Sequence, residues 1–354
     1  MISAQPYLTP EPSPAPALRL TVDGEALAQN WRRLRARGGN AACGAAVKAD
    51  GYGLGARQVV DRLAREGCRN FFVATWNELE RLGPLPAGLE VSVLHGVRPE
   101  DMPLALSGFG RPILCSGLQV ARWKAAGGGV CDVMIDTGIN RLGLRPEEVG
   151  VLGGLQIDTL LTHLACADDP DHPLNEAQLS AFKAAAARVT ARRLSAANSA
   201  GVYLGRRFAF DLTRPGLALY GGAPNDRADD LRPVARVEAE VIQVRTVLAG
   251  ESVGYGATWT AVRDSRVAVL NIGYADGFFS AFSNRGRARA GEAWAPVIGR
   301  VSMDLAAVDA TGLDVEEGDW VALDPDLRSA SAASGVSQYE LLTSLGRRFE
   351  RRWK

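Results

Sequence analysis

The sequence predicts an α/β chain in which an N-terminal (β/α)8 barrel of the TIM type is followed by a mainly-β C-terminal domain. Two observations carry that prediction. Between residues 41 and 220, eight short apolar runs alternate with helix-like segments, and eight strand–helix units is the count that closes a parallel barrel. Beyond about residue 223 the texture changes to apolar–polar alternation broken by Gly, Asp and Pro, the period-two signature of strands with one face in water. The expected divisions are a leader over 1–17, the barrel over 18–232 and the β domain over 233–354.

The leader is rich in proline and lacks a basic-then-apolar pattern, so it reads as a disordered segment and not as a signal peptide. The barrel strands are expected at 43–49, 70–75, 90–94, 112–116, 131–136, 157–163, 193–198 and 208–211. Amphipathic helices are expected between them at 56–67, 76–82, 116–126 and 175–192. In the last of these, Leu179, Phe182, Ala186 and Val189 recur at helical spacing. In the second domain, Val237, Ala239, Ile242, Val244 and Val247 alternate with Glu238, Glu240, Gln243 and Arg245 over 234–248. Shorter strands are expected at 266–272, 295–301 and 320–323, with a closing helix at 338–347.

Composition narrows the function. The 354 residues carry 40 basic and 40 acidic side chains, so no charge excess recommends nucleic acid or an anionic membrane as a partner. No apolar run is long enough to span a bilayer. A cytoplasmic enzyme acting on a small molecule is the expectation. The five cysteines are scattered through apolar runs and read as small buried hydrophobes, with neither a disulfide framework nor a metal-binding spacing.

Lys48 is the most informative residue. The chain has only four lysines, and this one ends the small apolar run 41–47 and precedes Ala49-Asp50-Gly51-Tyr52-Gly53. A desolvated amine there has a lowered pKa and can act as a nucleophile or carry a Schiff base; a buried stem with its head in water is the plainer alternative. In a barrel, chemistry gathers at the carboxyl ends of the strands, and phosphate is commonly held by the loops after strands seven and eight. Those loops contain Ser199 and Gly216-Leu217, although serine and glycine also suit ordinary turns. An amine and a phosphate cradle in one barrel mouth are jointly what pyridoxal phosphate requires. His163 and Arg141, after the sixth and fifth strands, could be catalytic or merely structural; His95 and His172 read as structural.

Taken in order, Val47 to Gly53, Asp136 to Gly143, Thr162-His163, Ala197-Asn198-Ser199, Arg214 to Gly221, Gly254 to Thr258, Ile272 to Gly277, Gly299 to Asp304 and Tyr339 to Gly346 resemble the alanine racemase family. The resemblance implies a pyridoxal 5'-phosphate enzyme that interconverts L- and D-alanine for peptidoglycan, working as a homodimer whose active sites take residues from both chains. Lys48 would carry the cofactor. Arg214 would face its pyridine nitrogen, with His163 between Arg214 and the catalytic tyrosine. Tyr52, Ser199, Gly216, Leu217 and Tyr339 would hold the phosphate. Tyr255, contributed by the second subunit's β domain, would be the second base. Arg141 and Met303 would orient the substrate carboxylate, and Tyr274 would line the entrance. No metal is implied.

Racemisation takes a proton from one face of a carbon and returns one to the other, so two bases on opposite faces are the direct solution. Lysine and tyrosine fit once cationic neighbours and burial adjust their pKa values. An arginine at the pyridine nitrogen cannot hand over a proton, which weakens the ring as an electron sink and favours return of the proton over side reactions. The chain departs from the family pattern at Met134, where a carbamylated lysine is common, and at Leu54, Gly254, Trp259 and Ser302. These leave substrate breadth open. A broader amino-acid racemase, a non-catalytic pyridoxal-phosphate binder and a cofactor-free Schiff-base aldolase are the alternatives.

Overall fold

The computed structural model describes residues 16–354, so the leader, apart from Pro16 and Ala17, lies outside the described residues. Two compact units emerge. One takes Val22–Ala235 together with Pro325–Leu345 and the last two residues; the other takes Arg236–Asp324 with Gly346–Arg352 and the strand Leu18–Val22 up to Thr21.

The first unit is the parallel barrel. Seven strands run in order Ala45–Ala46, Asn70–Val73, Glu90–Val93, Arg111–Leu114, Cys131–Met134, Ile157–Leu161 and Ala191–Ser195. The eighth, Leu212–Thr213, pairs in parallel with Ala42–Cys43, the other half of the first strand. It is tied to the seventh strand by Asp211 N–H donating to Leu194 O (3.0 Å) and Arg214 N–H to Ala197 O (2.8 Å). The ring is therefore closed.

Between the two pieces of the first strand lies Gly44, where a side chain would not fit: a Cβ would sit 2.9 Å from both Asn70 O and the Phe72 ring. The strands are short, and most are buried on both faces, as residues covered by helices outside and by the barrel's interior inside must be. The eighth strand lies just after the expected 208–211. Residues Arg206–Phe208 instead form a 3-10 turn, and Phe210 sits at φ 49° with its ring edge-on to Phe182. That stretch is apolar because it packs against the helix Leu174–Ala186, and side-chain burial alone cannot distinguish a packed turn from a strand. Asn198, expected at a strand end, caps the next helix by accepting from Gly201 N–H (2.9 Å). The helix Gln338–Thr343 belongs to the barrel unit, where Gln338 exchanges hydrogen bonds with the backbone of Ala223.

The second unit is antiparallel. Strands Ala235–Val247, Ser265–Leu270, Ala306–Asp309, Ala293–Ile298, Arg287–Ala290 and Trp320–Leu323 close into a ring, since the first pairs with both the second and the last. A separate hairpin pairs Ser252–Val253 with Trp259–Thr260, and Tyr255 lies in its loop.

Candidate active site

Lys48 follows the first strand and opens a left-handed turn. Ala49, Asp50 and Tyr52 all have positive φ, at 52°, 54° and 55°. Each would be strained alone, and the surroundings hold them. Asp50 Oδ1 accepts from Ala56 N–H (2.9 Å), and the two oxygens of Glu78 accept from Ala49 N–H (2.9 Å) and Ala74 N–H (2.7 Å). The turn swings Tyr52 inward, where it stacks on Tyr220 at 4.6 Å between ring centroids and tilts against Tyr339 at 6.3 Å. Tyr220 is itself pinned by donating to Ala46 O (2.9 Å).

Opposite these rings, the buried Ser199 Oγ accepts from Gly216 N–H (2.8 Å) and Ala218 N–H (3.1 Å). Leu217 is buried at the start of a 3-10 turn. Gly216 cannot carry a side chain: a Cβ would fall 2.1 Å from Tyr52 Oη. Arg214 is 5 % exposed and donates to Thr162 O (2.6 Å) and to Ser195 Oγ. Arg141 sits in a loop organised by Asp136, whose oxygens accept from Gly138, Asn140 and Arg141 N–H (2.9, 3.1 and 3.0 Å). His163 is fixed through its carbonyl, which accepts from Gln178 Nε2 (3.0 Å). Met134 is buried beside Gly143 of that loop, where a Cβ would lie 3.1 Å from its Cγ, and its thioether offers no charge to Arg141.

The electrostatics bind these groups together. Burial, reinforced by the Arg141 charge, lowers the Lys48 pKa. Burial and then Arg214, Arg141 and Lys48 push His163 down to about 3, so the imidazole is neutral near pH 7. Burial brings Arg214 to about 10, which leaves it a cation. Burial raises the Tyr52 phenol well above its ordinary value, and raises Tyr339 as well; both are neutral O–H donors.

In the second unit, Tyr255, Tyr274 and Met303 line one open cavity of about 920 Å³. All three are exposed, Tyr255 by 71 %. Tyr274 is placed by a short turn in which Asp276 accepts from Gly273 N–H (3.1 Å) and pairs with Arg348 (2.6 and 2.8 Å).

The alanine racemase N-terminal domain model matches residues 22–224 and the alanine racemase C-terminal domain model matches residues 234–353. The chain belongs to the alanine racemase family. The alanine racemase of Acidiphilium cryptum is 42 % identical over 348 residues, covering 94 % of this chain and 97 % of its own. That of Cereibacter sphaeroides is 43 % identical over 344 residues, with 94 % and 97 % covered. Among solved structures, the Bartonella henselae alanine racemase with covalently bound pyridoxal phosphate superposes with a TM-score of 0.89 at 35 % identity, covering 96 % of this chain and 100 % of that one. The biosynthetic enzyme of Pseudomonas aeruginosa gives 0.87 at 32 %, with 96 % and 100 % covered.

The protein is thus an alanine racemase, an isomerase of a family whose cofactor is pyridoxal 5'-phosphate. The barrel mouth fits that cofactor on its own evidence. The space that a Cβ on Gly216 would fill is kept open beside the Tyr52 hydroxyl, and an amine with a lowered pKa lies in the same mouth. Among the described residues no cluster of His, Cys, Asp or Glu could hold a metal ion.

Two contributors had escaped the sequence reading, Glu78 and Gln178, while Asp136 and Tyr220 lay in segments that carried the resemblance but had been given no role of their own. Glu78 had a signal, since Thr75-x-x-Glu78 is a capping box pattern at the start of Trp76–Leu82; Gln178 had none.

Proposed function

We propose that the enzyme interconverts L- and D-alanine by a two-base mechanism in a homodimer, supplying D-alanine for peptidoglycan in the cytoplasm. What supports the reading most directly is the gathering of Lys48, His163, Arg214 and Arg141 into one electrostatically coupled barrel mouth, beside the Ser199–Gly216–Tyr52 cradle. When bound, the cofactor withdraws electrons from the substrate α-carbon and so acidifies its C–H bond.

The residues of the chain do the rest. The backbone N–H groups and hydroxyl of the loops after strands seven and eight would hold the phosphate, with Tyr52 and Tyr339 donating. Arg214, a cation anchored at two points, would face the pyridine nitrogen and would not deliver a proton to it. Neutral His163 has one ring nitrogen that can accept and one that can donate, which suits it to stand between Arg214 and the catalytic phenol without adding charge. Lys48, its pKa lowered by burial and by Arg141, exchanges a proton on one face of the α-carbon. Tyr255 from the second subunit exchanges it on the other face. Arg141 and the backbone at the second subunit's Met303 orient the substrate carboxylate, and Tyr274 lines the way in.

The dimer is supported by the outward placement of Tyr255, Tyr274 and Met303 around one cavity, since exposed aromatic and apolar groups gathered together mark an interaction surface. The cytoplasmic reading is supported by the five cysteines, all free thiols as a reducing compartment keeps them; among the described residues no helix is long and apolar enough to cross a membrane.

The test is racemisation of a panel of amino acids by the wild type, Lys48→Ala and Tyr255→Phe. Alanine is expected to be the preferred substrate, and both variants are expected to lose activity. Formation of D-serine or D-lysine without D-alanine would overturn the specificity, and full activity in Tyr255→Phe would overturn the two-base mechanism.

A further inference from the structure

We infer that Gln178 is a positioning residue: a buried amide that locks the loops after the fifth and sixth strands together and so sets Arg141 against His163. The inference rests on the roles proposed above for those two residues.

Gln178 is fully buried on the inner face of the helix Leu174–Ala186, where its neighbours along the helix include the buried Leu179 and Phe182. An amide in such a place is costly unless its hydrogens and its oxygen are engaged. Here all are. Oε1 accepts from Ala165 N–H (2.8 Å), and Nε2 donates to His163 O (3.0 Å) and to Thr137 Oγ1 (3.1 Å).

Two of these bonds continue a sheet by other means. The ladder of the sixth strand runs up to Ile135 N–H on Leu161 O (2.8 Å) and Thr162 N–H on Ser195 O (3.0 Å). Arg214 takes the next carbonyl, Thr162 O. Beyond it Gln178 bonds a carbonyl and an N–H two residues apart, as a neighbouring parallel strand does. The main chain on both sides of Leu164 is held in this way, and the backbone that carries the His163 ring is held with it.

The third bond crosses to the end of the fifth strand. Thr137 Oγ1 accepts from Gln178 and lies 2.7 Å from Thr162 Oγ1, to which it can donate. Thr137 follows Asp136, the carboxylate that shapes the next loop by accepting from the N–H groups of Gly138, Asn140 and Arg141. Gly138 also lies against the stem of the glutamine: a Cβ there would meet Gln178 Cγ at 3.6 Å. The helix that carries Gln178 is itself fastened, since Asn175 Nδ2 donates to Asp169 O (2.9 Å) and Phe182 packs edge-on to Phe210. A carboxylate in place of the amide would lack the hydrogens for His163 O and Thr137 Oγ1.

The test is steady-state racemisation of L-alanine by the full-length holoenzyme, with cofactor content and melting temperature recorded for each variant. Gln178→Leu keeps the bulk and removes all three bonds. It is expected to raise KM about tenfold and to lower kcat/KM by about 10- to 100-fold, as displacement of a substrate-orienting group does. A loss of folded protein would lower the apparent kcat and leave KM where it was, so KM separates positioning from stability. Cofactor content is expected to hold, because the Ser199–Gly216 cradle is bonded elsewhere. Thr137→Val cuts only the crossing to the fifth strand and should also raise KM, whereas Thr137→Ser keeps the hydroxyl and should keep the wild-type KM.

Arg141→Gln tests the reading beneath the inference. If Arg141→Gln raises KM while Gln178→Leu, folded and loaded, leaves it in place, the inference fails and the assignment of Arg141 survives. If Arg141→Gln leaves KM unmoved, that assignment is what fails, and the inference falls with it. Should Gln178→Leu not fold or not take up the cofactor, the threonine pair decides: an unmoved KM in Thr137→Val, or a Thr137→Ser as impaired as Thr137→Val, overturns the inference.

Discussion

Gly216→Ala is the perturbation whose size follows most directly from the structure. The new Cβ would lie 2.1 Å from Tyr52 Oη and 2.9 Å from its Cζ, far inside contact distance. The ring has little room to retreat, being stacked on Tyr220 at 4.6 Å and tilted against Tyr339. The loop has little more, because Ser199 Oγ grips it at Gly216 and Ala218. Overfilling a packed site of this kind costs about 1–3 kcal/mol. If Tyr52 yields by turning out of the cradle, that cost falls on cofactor binding, and the pyridoxal-phosphate Kd rises by roughly 5- to 150-fold. If the loop yields instead, the cost falls on stability and the barrel melts earlier. Equilibrium titration of the apo-protein with the cofactor, combined with thermal melts of both forms, separates the two routes. A variant that binds and melts like the wild type would show that Gly216 is not pressed against Tyr52, and the cradle as described would be wrong.

Other outcomes follow from the same contacts. Ser199→Ala strands two buried N–H groups and is expected to destabilise the apo-protein by about 2 kcal/mol, checked by chemical denaturation. Asp276→Asn, at a carboxylate 1 % exposed that pairs with half-exposed Arg348, should cost about 2 kcal/mol in the same measurement and loosen the turn that carries Tyr274. His163 has its pKa pushed down to about 3 by burial and then by Arg214, Arg141 and Lys48, so the unfolded chain binds the proton first as pH falls. Its contribution to stability is thus intact above about 6.5 and declines from there toward 3, by no more than about 1.4 kcal/mol per unit. His163→Gln should flatten that part of the stability–pH curve; an unchanged slope would count against a buried neutral imidazole.

Much of this was legible in the residues, and the gaps have physical causes. Barrel strands showed as apolar runs because both faces of a parallel sheet are covered. The eighth was displaced because Phe208 and Phe210 are apolar for a packed turn, not for a strand. In the second unit, Arg287–Ala290 and Ala306–Asp309 passed unnoticed, since four-residue strands of Arg-Ala-Arg-Ala or Ala-Ala-Val-Asp have too few large apolar positions to show a period. The opening helix Gly24–Gly38 was also missed. Lys48 stood out because an amine at the end of a small apolar run needs a reason. The left-handed turn after it could not be foreseen, since it depends on Glu78, far along the chain, catching the backbone of Ala49. Asp132, buried on the fifth strand, was invisible for a similar reason: its partners Ser92, Arg111 and Thr159 come from other strands that only the folded barrel brings around it.

The central claim is that Lys48 of one subunit and Tyr255 of the other complete a single site. Mixing Lys48→Ala with Tyr255→Phe, each inactive alone, tests it most directly. After subunit exchange, half the dimers are mixed and each mixed dimer rebuilds one intact site of its two, so activity should return to about a quarter of the wild-type value. A mixture that stays as inactive as its two components, with exchange verified, would contradict the claim.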